Sequence, residues 1–215
     1  MVPLSNKNQE MNFDEKAKGW DQDPDRVARA RAFADEILKA IGKNKFSSAL
    51  EFGSGTGNVS FQMADRFESI TLADTSEGML AVLRQKITSG GITNMKPFLI
   101  NEAYPLTSHE EFDIIYTLLT LHHINNLNRI FSDLSSVLKP GGLLFIGDLI
   151  TEDGSFHYRD PEFDGHKGFD VEELKELLKK DGFEPVMDKI FYTIEREHNS
   201  VLKQYPLFVV EAKKL

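Results

Sequence analysis

A chain of 215 residues fits one medium domain, long enough to bury roughly 70% of its unfolded surface without staples. It has no cysteine, which excludes a disulfide framework, thiolate zinc sites, Cys-ligated iron–sulfur clusters and a Cys nucleophile. Acidic side chains outnumber basic ones 34 to 25, for a net charge of -9, a balance that repels phosphate backbones.

Hydropathy adds two expectations. No apolar run approaches the ~20 residues of a membrane helix, and Met1 to Glu15 shows no charged-then-apolar leader. The expected compartment is the cytoplasm, with neither a membrane nor a nucleic acid as partner.

In chain order, residues 1–25 form a polar lead-in carrying Phe13 and Trp20, a candidate lid. Val27, Ala30, Ala34, Ile37, Leu38 and Ile41 recur at helical spacing, which predicts a helix over Arg26–Ile41 with Gly42 as its stop. Ser48–Phe52 reads as a strand, Asn58–Phe67 as a helix, Ile70–Ala73 as a strand and Ser76–Ile87 as a helix. Strands follow at Pro97–Ile100 and Phe112–Leu118, then a helix at Leu127–Leu138 closed by Pro140-Gly141-Gly142, then a strand at Leu143–Ile146. Asp148–Asp170 lacks periodicity and reads as a long loop of the kind that carries function. A helix at Val171–Lys180 opens on Asp170, with Glu173 completing a capping box. Two last strands, near Val186–Glu195 and Leu207–Ala212, have no helix between them and should pair as an antiparallel hairpin. The expected fold is α/β: a doubly wound, mostly parallel seven-stranded sheet with that hairpin at its end. The lead-in (1–25) precedes a single ligand-binding domain (26–215).

The most informative string is Glu51-Phe52-Gly53-Ser54-Gly55-Thr56-Gly57, between a strand and a helix. Glycines there allow a tight turn and close approach of a ligand. The dinucleotide pattern G-x-G-x-x-G needs glycine at 58, where Asn58 stands, and no Lys follows as in a phosphate loop. Glu51 instead suits a ligand with an ammonium group. Asp74 ends the second strand about 20 residues beyond Gly53, where a carboxylate accepts ribose hydroxyls.

With Phe112-Asp113-Ile114-Ile115, Leu121-His122-His123-Ile124 and Leu138-Lys139-Pro140-Gly141-Gly142, these strings in this order resemble the class I S-adenosylmethionine-dependent methyltransferases, small-molecule type, from about Trp20 to the C-terminus. The resemblance implies a Rossmann-like fold and S-adenosylmethionine as cofactor. It implies cofactor contacts at Gly53, Ser54, Gly55 and Gly57, at Glu51 for the amino end, at Asp74 for the ribose and at Met79 for the adenine. It also implies Glu102, in place of the usual Asp, facing the adenine amino group, and Thr117 near the methionine. Trp20 in the lead-in is a further candidate contact. Asp113, at the far end of its strand, reads as structural.

His122, His123 and Asp148 sit where a parallel-sheet crevice opens and are the candidate catalytic residues. The favoured reading of the histidine pair is packing and hydrogen bonding at a strand-to-helix corner, with catalysis second. The loop offers His157, His166, Tyr158 and Arg159 as polar contacts for a small-molecule acceptor, but no H-x-x-x-H spacing, and no metal is expected. Two other functions stay open: a nicotinamide-dependent oxidoreductase and a non-catalytic cofactor-binding module.

Overall fold

A computed structural model describes residues 13–103, 105–108, 111–160, 162–198 and 200–215. The strands are β1 (Phe46–Phe52), β2 (Phe67–Asp74), β3 (Met95–Leu99), β4 (Phe112–Leu118), β5 (Leu138–Leu149), β6 (Phe183–His198) and β7 (Val201–Lys214). The helices are α1 (Pro24–Ile41), α2 (Glu77–Gly90), α3 (Leu127–Ser136) and α4 (Val171–Lys180). One sheet runs β3-β2-β1-β4-β5-β7-β6. The first five strands are mutually parallel, and β7 runs antiparallel to both β5 and β6. The seven-stranded, mostly parallel sheet and its terminal hairpin match the expectation. The all-parallel 3-2-1-4-5-6 order of the dinucleotide fold has no such antiparallel insertion.

Period-two burial sorts side chains between two cores. Leu50, Phe52, Ile115, Leu144 and Ile146 pack with Ile130, Phe131 and Leu134 of α3 and Leu174 and Leu178 of α4. Ala49, Ile70, Leu72, Ile114, Tyr116 and Phe145 pack with Phe33, Ala34 and Ile37 of α1 and Leu80 and Leu83 of α2. Both faces are thus covered, and strand order reverses between β1 and β4, which leaves a crevice at the strands' carboxyl ends.

Four elements depart from the sequence pattern. The helix expected over Asn58–Phe67 is two 3₁₀ turns, Ser60–Gln62 and Ala64–Arg66, because Met63 leaves helical dihedrals (φ -129°, ψ 11°). The helix expected to reach Leu138 ends at Ser136. There the Phe112 N–H takes the Val137 carbonyl (2.7 Å) and Leu138 pairs with Phe112. Ile114 next pairs with Leu143, so residues 139–142 bulge out of β5. That bulge presents Lys139 to Asp113 (2.6 Å), whose carboxylate also accepts Ser48 N–H (2.9 Å). Asp113 is structural, as expected. The hairpin strands are longer than the sequence pattern shows: β7 pairs with β5 only from Leu207 to Lys213, and beyond that the hairpin stands alone. Finally, α1 begins at Pro24 with Asp23 as its cap. Residues 17–22 form a 3₁₀ turn rather than an irregular tail.

Candidate functional site

The crevice at the carboxyl ends of β1, β2 and β4 encloses about 840 Å³. Its floor is the turn after β1. The N–H groups of Gly53 and Ser54 both donate to the Ala73 carbonyl (2.8 and 3.0 Å), folding the turn across β2. Gly53 (φ +71°) is pressed against Thr120, whose side chain would lie 2.2–2.8 Å from any Cβ there. Gly55 differs: a Cβ would meet only Trp20 Nε1, at 3.9 Å. That open space is on the crevice wall. Gly57 does not line the crevice. It lets the chain pass Leu83 and Leu72, 2.7 and 3.0 Å from a notional Cβ.

Glu51 reaches the crevice from the end of β1 yet is nearly inaccessible. Ser60 N–H donates to its Oε2 (3.2 Å), the Ser60 hydroxyl bonds the same oxygen, and Tyr116 OH lies 2.7 Å beyond. Burial pushes the Glu51 carboxyl up to about 8, against the opposing pull of Ser60. Among the described residues no cation pairs with it. A buried, uncompensated carboxyl facing a cavity fits an ammonium ligand.

Asp74 also lines the crevice. Its carboxylate accepts Gly55 N–H (2.7 Å) and Ser76 N–H (2.9 Å), so it braces the glycine turn as well as facing the ligand space. Burial raises its pKa. Met79, at the start of α2, is buried against the same space. Ser54 and Trp20 line it too. Glu102 and Thr117 do not. Glu102 is exposed after β3, and Thr117 is buried inside β4 with its hydroxyl unpaired. The expected contacts at Gly57, Glu102 and Thr117 are therefore not formed by crevice walls in this arrangement.

The lead-in packs onto this floor. Asp14 accepts the Ser76 hydroxyl (2.5 Å) and Gly78 N–H (2.7 Å) at the start of α2. Asp21 holds Thr56 (2.6 Å), Asn58 (2.8 Å) and Lys86 (2.7 Å) around the glycine turn. Trp20 lies under Arg26, 3.8 Å from the guanidinium carbon, and Phe13 sits edge-on to Trp20 and His123.

The opposite wall carries the histidines. His122 is almost fully buried, and its Nδ1 lies 2.6 Å from Oδ1 of Asp148, which is wholly buried beneath it. Asp148 also accepts the N–H groups of His122 (3.3 Å) and Leu149 (2.8 Å). Asp148 is therefore a positioning group that does not touch the crevice. His122, His123 and His157 all line it. Burial holds His123 well below the usual histidine range and His157 down to about 3, with His122 adding to both. His166 turns away, its N–H donating to the His122 carbonyl (2.7 Å) and its ring bonding the Ile124 carbonyl (3.0 Å).

Two arginines on this wall escaped the sequence pattern. Arg29 lies on the buried stripe of α1 and bonds Asp25 (2.7 Å). Arg196 comes from the free-standing part of β6, bonds the Phe156 carbonyl (2.8 Å) and lies 3.9 Å over the Phe156 ring. Among the described residues Arg196 forms no ion pair. A basic residue beside the apolar positions of α1 is the signal that could have found Arg29; Arg196 left none.

Comparison with known proteins agrees with this geometry. A family model described as a methyltransferase domain matches residues 50–146. An uncharacterised methyltransferase of Schizosaccharomyces pombe is 30% identical over 126 residues, 54% of this chain and 43% of that protein. The malonyl-[acyl-carrier protein] O-methyltransferase 2 of Ilyobacter polytropus is 28% identical over 177 residues, 78% of this chain and 66% of that one. The chain thus spans less than two thirds of the length of both. Among solved structures, an S-adenosylmethionine-dependent methyltransferase from Clostridium acetobutylicum superposes with a TM-score of 0.70 at 17% identity, covering 92% of this chain and 98% of that one.

Proposed function

We propose that the chain is a class I S-adenosylmethionine-dependent methyltransferase and that it moves a methyl group from this cofactor to a small-molecule acceptor by in-line displacement. The observation that carries the reading is the crevice floor. Glu51 supplies an unpaired buried carboxyl, Asp74 a second carboxylate, and Gly55 an open approach between them. When bound, the cofactor supplies a methyl group already activated by the sulfonium charge. The chain's own part is to align the partners and exclude water. Phe13 and Trp20 from the lead-in, and Phe156 to Asp160 from the long loop, wall the remaining sides. His122, fixed by Asp148, can accept an acceptor's proton at Nε2.

The acceptor side is cationic. Beyond the floor with Glu51 and Asp74, Lys16, Arg26, Arg29, Arg159 and Arg196 line the crevice against Asp23, Asp160 and Glu197, so cations outnumber carboxylates there. This favours an acceptor that carries an anionic group. The functional test has two arms. Calorimetry should show S-adenosylhomocysteine binding and no NAD binding. Methyl transfer should then be found on a panel of anionic hydroxy, amino and thiol compounds. Binding of NAD alone would point to the oxidoreductase; cofactor binding with no turnover on any acceptor would point to a non-catalytic module.

Two expected results follow from the carboxyls. Asp74→Ala should weaken S-adenosylhomocysteine binding by about 1–3 kcal/mol, and equal affinity would remove Asp74 from the site. Glu51, with its pKa near 8, is mostly protonated at pH 7. A bound ammonium favours the carboxylate, so cofactor binding should release a proton below pH 8, and less above it. Calorimetry in buffers of differing ionisation enthalpy reads this directly. Release that persists in Glu51→Gln would assign it elsewhere. The same shift has a stability sign. The folded chain keeps a proton that the unfolded chain loses between pH 4.5 and 8, so Glu51 makes stability fall as pH rises through that window.

A further inference from the structure

We propose that His122, His123 and His157 form a binding site for one divalent d-block cation, of the zinc class, on the acceptor side of the crevice. The three residues each offer a ring nitrogen, and these atoms lie within 4.8 Å of one another. Ring centroids of His157 stand 5.1 Å from His122 and 5.4 Å from His123. Three imidazoles converging from different directions suit a metal with about 2.0–2.1 Å nitrogen bonds after a small inward movement.

Three further features point to a ligand. Asp148 takes Nδ1 of His122, leaving Nε2 as the coordinating atom, which replaces its proton-accepting role when the metal is bound. This carboxylate–histidine arrangement is the usual outer support of a metal-bound imidazole. His123 Nδ1 is buried with no hydrogen-bond partner, although buried polar atoms are as a rule paired. Phe163 stacks on His157 at 3.7 Å and Phe156 stands edge-on to it at 4.9 Å, which makes an apolar collar. All three histidines line the crevice, so the fourth position opens toward the acceptor. Three protein ligands plus an open position is the pattern of a reactive rather than a structural site. Imidazole donors favour zinc, copper, iron or nickel over magnesium or calcium. On the methyl-transfer reading, the open position would take the acceptor's oxygen, nitrogen or sulfur atom.

The test is cobalt(II) titration of the full chain, followed by visible absorption. One equivalent should produce the ligand-field bands of a four-coordinate site, zinc(II) should displace them, and Tm should rise with either metal. His157→Ala, in the loop, and His123→Ala should each lose the bands. S-adenosylhomocysteine calorimetry on the same variants shows that they are folded. It also separates this proposal from the methyl-transfer reading, since cofactor binding can persist without the metal or fail with it. No bands in the wild-type chain, or equal bands in His157→Ala, would overturn the site.

Discussion

Asp148→Asn should lower turnover by about 10²–10⁴-fold while S-adenosylhomocysteine affinity stays unchanged. The carboxylate accepts from the N–H groups of His122 and Leu149 and faces His122 Nδ1 at 2.6 Å, with no exposure to solvent. As a carboxylate it keeps the proton on Nδ1 and the lone pair on Nε2. An amide has one acceptor oxygen and one donor group in the same space. Oδ1 holds both Nδ1 and Leu149 N–H, so the amide oxygen takes that place and the NH₂ is turned toward His122 N–H, donor against donor. The imidazolium that forms when His122 takes a proton at Nε2 then has no counter-charge beneath it. The backbone of the glycine turn is untouched, so the cofactor side should not register the change. Asp148→Ala is the poorer experiment, because orphaning buried donors costs about 1–3 kcal/mol each and mixes unfolding with chemistry. Unchanged turnover in folded Asp148→Asn would remove the pair from the reaction. A matching loss of cofactor affinity would show that His122 serves the wrong side of the crevice.

Much of this was legible in the sequence because local rules govern it. The glycine turn, Asp74 and the strand–helix alternation each rest on a few adjacent residues, whereas the strand order is seen only in the structure. What was not legible depends on contacts between distant segments. Asp21 sits among helix-capping aspartates, yet Lys86 and Asn58 draw it to the glycine turn. Asn58–Phe67 has apolar spacing compatible with a helix, but Ser60 N–H is taken by Glu51 and Met63 breaks the run. Arg196 reaches the crevice only because the hairpin outgrows the sheet edge. The histidine cluster is the clearest case. His157 follows the pair at 122 and 123 by more than thirty residues, too far for any ligand spacing to show. The loop is returned to the pair by hydrogen bonds, among them His166 N–H to the His122 carbonyl.

The glycine turn yields the last expected result, because two glycines of one motif are needed for different reasons. Gly53→Val should destabilise the chain, and Gly55→Val should chiefly block the ligand. Both positions have left-handed backbone, φ +71° and +52°, so each valine carries about 1–3 kcal/mol of strain. At Gly53 the new side chain also collides with Thr120, whose hydroxyl donates to the Leu118 carbonyl (3.1 Å) and cannot simply swing aside. Moving Thr120 disturbs the turn that leads to His122. A fall in Tm and a loss of both cofactor binding and turnover should come together. At Gly55 nothing stands within 3.9 Å, so the valine fits the folded chain and projects into the space assigned to the cofactor. Tm should drop only by the strain, whereas S-adenosylhomocysteine affinity should fall by about a hundredfold, the equivalent of two hydrogen bonds at about 1.4 kcal/mol each. Gly55→Ala, with one methyl group, should lie between wild type and valine in affinity and match valine in Tm. Thermal melts and calorimetry on the three variants decide it. If Gly55→Val binds S-adenosylhomocysteine like wild type, the open face of Gly55 is solvent rather than ligand space, and the floor of the crevice has been assigned to the wrong wall.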